Sequence, residues 1–408
     1  MSAACFIVLF YVCEKIWRCG LQLHEQKHNS HRTRTTYNIL LVSNLTTTSL
    51  SAHSTMKLAI TLALLGLGGS SAANLKSPDY YESLFKDWLS KFDQSFEGDE
   101  YEHRLQVFSD ADDVINTHNS GNHTYTLGHN EYSHLTWEEF SELKNLGRPI
   151  PPKPFVGLSR DQSNKHTEDG PPPFAVNWWW DDDDSGDDDS SGAVDWVDSG
   201  AVTGVKDQGS CGSCWSFSTT GALEGAYFLK NGELVSFSEQ MLVECDTVDS
   251  GCNGGLMDNA FSWIKSNGGL CKEDDYPYTS GGGSVGTCQS SSCDVVKGST
   301  PSSWVDVKES DAAMMSALDQ QPVSIAIEAD QTSFQYYSSG VLTDECGTNL
   351  DHGVLAVGYG TMDGTDYYRV KNSWGTSWGD EGYIYLERGG SQTGGQCGML
   401  MAASYPVL

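Results

Sequence analysis

The chain has 408 residues, 55 of them acidic and 24 basic, for a formal net charge of −31. An acidic excess of this size, with no basic stripe, excludes a nucleic-acid-binding role. The two N-terminal apolar runs, at residues 3–12 and 58–67, both fall short of the roughly 18 residues a membrane span needs, so no membrane partner is expected.

The first organised signal is Met56-Lys57-Leu58, which opens an apolar run closed by Gly68-Gly69-Ser70-Ser71-Ala72-Ala73. A basic start, an apolar centre and a small-residue end form a secretory leader. Residues 56–73 are therefore expected to be a signal peptide, with Met56 the true start and residues 1–55 a gene-model extension or disordered. The expected compartment is the secretory pathway, ending outside the cell or in a lysosome or vacuole.

Residues 74–146 read as a helix-rich module, in which Glu100 and Arg104 stand four apart on one helix face and can pair. Asn122-His123-Thr124 is a glycosylation sequon. Residues 147–192 are different. Seven prolines, a Trp178-Trp179-Trp180 run and two aspartate runs oppose compact structure and read as an exposed, protease-sensitive linker. The aspartates lack the spacing of an EF-hand loop.

Residues 193–408 carry the chemistry. Gln208 precedes Cys211-Gly212-Ser213-Cys214-Trp215, and small and apolar residues at three- and four-residue spacing from Trp215 to Lys230 predict a helix that stops at Asn231-Gly232. A cysteine at a helix N-terminus feels the positive end of the helix dipole, which favours the nucleophilic thiolate. A second helix is expected over 256–266. Strands are expected over 324–329, 352–359, 367–370 and 383–386, with a turn at Asp363-Gly364. Twelve cysteines are present, three before residue 20. The other nine suit four disulfides and one free thiol in an oxidising compartment, with the pairing left open. Cys211 and Cys214 also read as a redox C-x-x-C pair, but no βαβ pattern surrounds them. No second pair of ligands completes a zinc finger.

Far downstream lie Leu350-Asp351-His352-Gly353 and Lys371-Asn372-Ser373-Trp374-Gly375. With the Cys214 context, these residues closely resemble a papain-family cysteine protease of the cathepsin L-like type, in zymogen form. The resemblance implies an α+β, papain-like two-lobed fold, a helical lobe beside a β-barrel-like lobe, preceded by a helical inhibitor pro-domain. It implies that Cys214 is the nucleophile, His352 the base, Asn372 the group that orients it, and Gln208 an oxyanion donor with the Cys214 N–H. Trp374 is expected to shield the His–Asn bond and Trp378 to wall the leaving-group side. Gly254 and Gly255 should line the substrate edge. Leu256, Met257, Ala326, Leu350 and Ala402 should form an apolar pocket for the second residue before the cut.

The resemblance further selects the disulfides Cys211–Cys252, Cys245–Cys288 and Cys346–Cys397, which leaves Cys271 and Cys293 as a fourth bridge. Glu100, Arg104, Phe108, Ile115 and Asn119 fall on the family's pro-region motif, with Ala111 departing from it. Gly128, Asn130, Tyr132 and His134 resemble its next segment, with His134 standing where the family has Asp. Acidification is expected to charge His134 and loosen the pro-region. The implied partners are protein and peptide substrates, the chain's own pro-region as inhibitor, and cystatin-like inhibitors of a monomer. No metal or organic cofactor is implied.

Overall fold

The computed structural model describes residues 75–150 and 192–408, Glu345 excepted. The leader, the extension and nearly all of the Pro/Asp-rich segment lie outside these residues, as does most of the 187–193 stretch expected to hold the mature N-terminus.

The N-terminal module begins with α1 (Pro78–Lys91), whose start is set by Ser77. Its side chain accepts from the Tyr80 N–H, and Pro78 sits where no N–H is needed. α2 (Asp99–Asn119) packs against it through Phe85, Trp88 and Phe108, all buried. Arg104 does pair with Glu100, at 2.7 Å, and also with Glu139. A short strand β1 (Tyr125–Leu127) follows, which the helix-rich reading did not include. α3 (Trp137–Lys144) then opens with a reciprocal capping box between Thr136 and Glu139.

After the two-residue β2 (Val194–Asp195), the C-terminal domain continues with α4 (Cys214–Asn231), nearly all of it buried. It ends where the sequence places the stop, with Gly232 left-handed at φ 71°. α5 (Glu239–Cys245) and α6 (Met257–Asn267) pack on it to form one core, which includes Trp215, Leu223, Phe237 and Phe261. The second core belongs to the sheet: β3 (Ser303–Asp306), β4 (Val323–Ile327), β5 (Tyr337–Leu342), β6 (His352–Met362), β7 (Thr365–Lys371), β8 (Tyr383–Glu387) and β9 (Ala403–Val407). Short helices α7 (Asp311–Leu318) and α8 (Thr332–Tyr336) fill its connections. The strand order is β1-β5-β8-β7-β6-β4-β9-β3, with β2 added on β6. Pairing is antiparallel except for β5–β8. β6 and β7 turn through Asp363 and Gly364, both at positive φ, as a tight hairpin turn requires. β2, β3, β5, β9, α5, α7 and α8 were not foreseen. β3 has no buried position, and β5 and β9 have no exposed one, so none of the three shows a clean alternation.

β1 extends the sheet edge at β5, so the N-terminal module and the C-terminal domain share one sheet. The Asn130 side-chain amide donates to the Gln335 carbonyl at 2.6 Å, and the Tyr132 hydroxyl to the Trp374 carbonyl at 3.0 Å. Four disulfides join Cys211–Cys252, Cys245–Cys288, Cys271–Cys293 and Cys346–Cys397, and Cys214 is the free cysteine among the described residues.

A buried ionic knot ties the two cores together. Lys206 lies 3.0 Å from Glu224 on α4 and 2.5 Å from Glu239 on α5. Lys371 on β7 donates to Thr203, which in turn donates to Glu224. Burial opposes charge on Lys206, but the two carboxylates outweigh it and raise its pKa. Removing one partner would strand buried charge of the other sign. Lys206→Ala is therefore expected to cost about 3–5 kcal/mol of unfolding free energy, read from urea denaturation. A loss below about 1 kcal/mol would show that the knot is not an integral structural element.

Candidate active site

The site forms where the start of α4 meets the start of β6. A Cβ added at Gly353 would lie 3.2 Å from the Trp215 Cα and 3.4 Å from the Cys214 carbonyl carbon, so a larger residue would push the helix and strand apart by a few tenths of an ångström. The Gly353 N–H donates toward the Cys214 sulfur. The start of α4, with Cys214, and the start of β6, with His352, thus meet at Gly353.

The imidazole of His352 is oriented by a chain of hydrogen bonds whose donors are fixed. The Ser373 N–H donates to Asn372 Oδ1 at 2.8 Å, which identifies that atom as oxygen. His352 Nε2 lies 2.7 Å from the same oxygen and must therefore carry the proton. Nδ1 is left with a lone pair, buried and without a hydrogen-bond partner. Trp374 stacks over the imidazole, with centroids 4.8 Å apart and planes 27° apart. Trp378 is fully buried, edge-on to Trp374, with its ring N–H donating to the Phe334 carbonyl at 2.6 Å.

Gln208 is held just as firmly. Its Oε1 accepts from the Ser373 hydroxyl at 2.7 Å, and its amide nitrogen donates to the Cys211 carbonyl at 3.0 Å. One amide hydrogen remains beyond that bond. Ser373 thus sets both Gln208 and Asn372. The sequence reading quoted Ser373 within its motif but gave it no task, because nothing in a linear motif shows which neighbours a hydroxyl will reach.

The edge expected to bind substrate lies beside Cys214. The Cys211–Cys252 disulfide and the Gly212 N–H to Cys252 carbonyl bond, 3.0 Å, join it to the start of α4. Gly254 sits at φ 104°, and a Cβ at Gly255 would strike the Trp215 ring at 2.6 Å. Leu256, Met257, Ala326, Leu350 and Ala402 come together on one pocket, with Met401. One carboxylate also reaches its wall, Asp258, which accepts from the Ser404 hydroxyl at 2.5 Å. The sequence reading counted only apolar residues there.

The crevice is occupied by the chain itself. Residues 144–150 run through it: the Gly147 N–H donates to Asp351 at 2.7 Å, and the Ile150 N–H to the Leu350 carbonyl at 2.7 Å. Asn145 covers Gly212, and Pro149 and Ile150 sit on the apolar pocket. Lys144 is buried beneath, 3.5 Å from Asp207 and 4.4 Å above the Tyr132 ring. The family resemblance also implies that the segment after the pro-region motifs runs back through the cleft, and residues 144–150 do so, although no motif marks their individual contacts.

Burial in the closed crevice sets the charge state. Burial pushes the Cys214 thiol up to about 11, against the smaller opposing pull of the Gly353, Trp215 and Cys214 N–H groups. Burial also pushes His352 down to about 4, with Lys144 adding to it and Asn372 resisting. Both groups are therefore neutral at pH 7, and desolvation outweighs the helix dipole. Asp351 is raised to about 7 by the same burial, despite accepting from the Ala329 and Gly147 N–H groups.

Comparison with known proteins adds the rest. Residues 191–407 match the family described as papain family cysteine protease, and residues 85–140 match the cathepsin propeptide inhibitor domain. The chain is 42% identical over 342 residues to the cysteine protease XCP2 of Arabidopsis thaliana, covering 83% of this chain and 90% of that one. Among solved structures, it is 32% identical to the proform of the Amb a 11 cysteine protease, a major ragweed pollen allergen. The TM-score is 0.67, with 83% of this chain and 98% of that chain covered. The recombinant stem bromelain precursor matches at 33% identity, TM-score 0.66, covering 80% and 99%.

A thiol with a pKa near 11 is on the order of one part in ten thousand ionised at pH 7. Iodoacetamide should label Cys214 of the intact precursor very slowly, speeding up toward alkaline pH, and far faster once residues 144–150 leave. Mass mapping of the Cys214 peptide reads this directly, and equal labelling rates in the two forms would contradict the assignment.

Proposed function

The chain belongs to the papain family of cysteine proteases, as a precursor with an inhibitory propeptide, and on that premise we propose how its residues cut peptide bonds. The observation that carries the reading is the buried, unpartnered Nδ1 of His352 at the start of β6, where that strand meets the helix start that bears Cys214, the free cysteine among the described residues.

With the cleft open to substrate, His352 Nδ1 takes the Cys214 proton and the thiolate attacks the scissile carbonyl. The negative charge that develops on the carbonyl oxygen is stabilised by the Cys214 N–H and the remaining Gln208 amide hydrogen. One such donor contributes about 3–4 kcal/mol to the barrier reduction. His352 then protonates the leaving amine, and water hydrolyses the thioester by the reverse route. Asn372 keeps the ring in the tautomer that leaves Nδ1 free, and Trp374 covers that bond.

An extended substrate lies along Gly254 and Gly255 and hydrogen-bonds through its backbone. Its second residue before the cut enters the Leu256, Met257, Ala326, Leu350 and Ala402 pocket, where Ile150 packs in the precursor. A hydrophobic or aromatic residue fits that lining. Trp378 contributes to the leaving-group side through its packing on Trp374. The same reading makes the enzyme a monomer of the secretory pathway, open to cystatin-like inhibitors.

Latency follows from occupancy, and acid from His134. Its ring packs on Trp88 and Phe96, and its Nδ1 lies 3.0 Å from the Glu131 carbonyl oxygen. Burial, then Arg104, pushes it down to about 4, against the weaker pull of Glu139 and Glu100. A depressed pKa means the closed precursor is undisturbed above pH ~6.5 and is penalised progressively as pH falls toward 4. Asp351 works in the opposite sense. Raised to about 7 while covered, it favours closure at low pH and loses that contribution as pH rises through 7.

Acid-activated protein should hydrolyse a fluorogenic Phe-Arg substrate faster than an Arg-Arg one and be blocked by an epoxide thiol inhibitor. Cys214→Ala should abolish turnover. No activity after verified removal of the pro-region would defeat the enzymatic reading, and equal rates on both substrates would defeat the pocket. His134→Asp should move autoactivation to lower pH, and an unchanged pH profile would remove His134 from the trigger.

A further inference from the structure

A second cluster of ligating side chains lies away from the crevice, on the seam between the N-terminal module and the sheet. His118 stands in the last turn of α2, His123 in the turn before β1, and Asp344 just beyond β5. One ligand atom from each lies within 4.8 Å of the other two. The two imidazoles stack with centroids 3.9 Å apart. His123 and Asp344 are exposed, so an ion from solution can reach them.

One residue orients two of the three. The Tyr125 carbonyl oxygen lies 3.1 Å from His118 Nε2. A carbonyl only accepts, so Nε2 carries the proton and Nδ1 of the neutral ring holds the lone pair. Metal-bound imidazoles are ordinarily fixed in this way, by a carbonyl or carboxylate on the second nitrogen. The hydroxyl of the same Tyr125 donates to Asp344 Oδ2 at 2.6 Å and leaves the other carboxylate oxygen uncommitted by that bond. Burial and Asp344 keep that hydroxyl protonated.

We propose that His118, His123 and Asp344 form a Zn²⁺ site that clips the pro-region to the catalytic domain. Two imidazoles and one carboxylate suit zinc, whereas magnesium and calcium take oxygen ligands almost exclusively. Three protein ligands leave a fourth position for water. Two ligands belong to the pro-region and one to the catalytic domain, so the complete site exists only in the closed precursor. Zinc then stabilises that state by mass action, and release of the pro-region dismantles the site. The site uses neither Cys214 nor His352, so it stands or falls independently of the protease mechanism.

The test uses the full-length Cys214→Ala precursor, which removes the thiol of the crevice as a competing zinc ligand. Zinc is titrated at pH 7.5 against a chromophoric chelator, and thermal unfolding is followed with and without metal. We expect one equivalent of zinc bound at this site, weakened at least about tenfold in His123→Gln and in Asp344→Asn. Zinc a hundredfold above its dissociation constant should raise the parent's unfolding midpoint by roughly 5 °C and leave both variants unmoved. Magnesium should do neither. Because the substituted side chains are exposed, both variants should unfold at the parent's temperature without metal. Equal zinc stoichiometry and equal thermal response in parent and variants would overturn the proposal.

Discussion

The approach of α4 to β6 at Gly353 is the constraint on which the remainder of the structure depends. The first residues of a buried helix press on the first residues of a buried strand, with little room for a side chain between them. That contact brings together the helix start bearing Cys214 and the strand start bearing His352 and fixes the seam between two separate cores. It is maintained from below by the Lys206, Glu224, Glu239 and Lys371 knot, which joins α4 and α5 to β7 just before Asn372. It is maintained from above by Ser373, whose hydroxyl and N–H set Gln208 and Asn372. Cys214 and His352 thus open a helix and a strand, whereas Gln208 and Asn372 lie on connecting segments that Ser373 holds in place.

The same geometry explains why covering the crevice silences it. With water excluded, the neutral forms of Cys214 and His352 are the more stable ones, even at a helix N-terminus. The segment covers the apolar pocket and the backbone edge through Asn145, Pro149 and Ile150, while burial keeps the Cys214 thiol protonated. Opposing titrations at His134 and Asp351 mean that acid both weakens the module's hold and favours protonation in the crevice, so the net pH response is a difference between two terms.

Much of the site was legible in the sequence because it is carried by local signals. Helix α4 showed its spacing and its Gly232 stop, and β6 and β7 their β-branched runs and Asp363-Gly364 turn, whereas the pocket residues were named by the family resemblance alone. What escaped was non-local. Ser373 acquires its task only when the chain brings residues 208, 372 and 373 together. Lys144 to Ile150 bear no motif, and their backbone finds Asp351 and Leu350 only after folding. Asp258 reads as an ordinary helix-start carboxylate, and only the fold turns it to the pocket wall. β1 was hidden because a three-residue strand carries almost no periodicity, and its partner lies more than two hundred residues away.

That short strand has a consequence for the liberated enzyme. While β1 is in place, the Val341 N–H is satisfied by the Thr124 carbonyl, and the Tyr336 carbonyl by the Gly128 N–H. Loss of the N-terminal module reduces the sheet by its end strand and turns β5 into an open edge, with unpaired donors and acceptors facing water. Activation therefore exchanges one vulnerability for another. The precursor is a closed but inert body, and the active form carries a fresh adhesive rim that any extended peptide, including a neighbouring copy, can pair with.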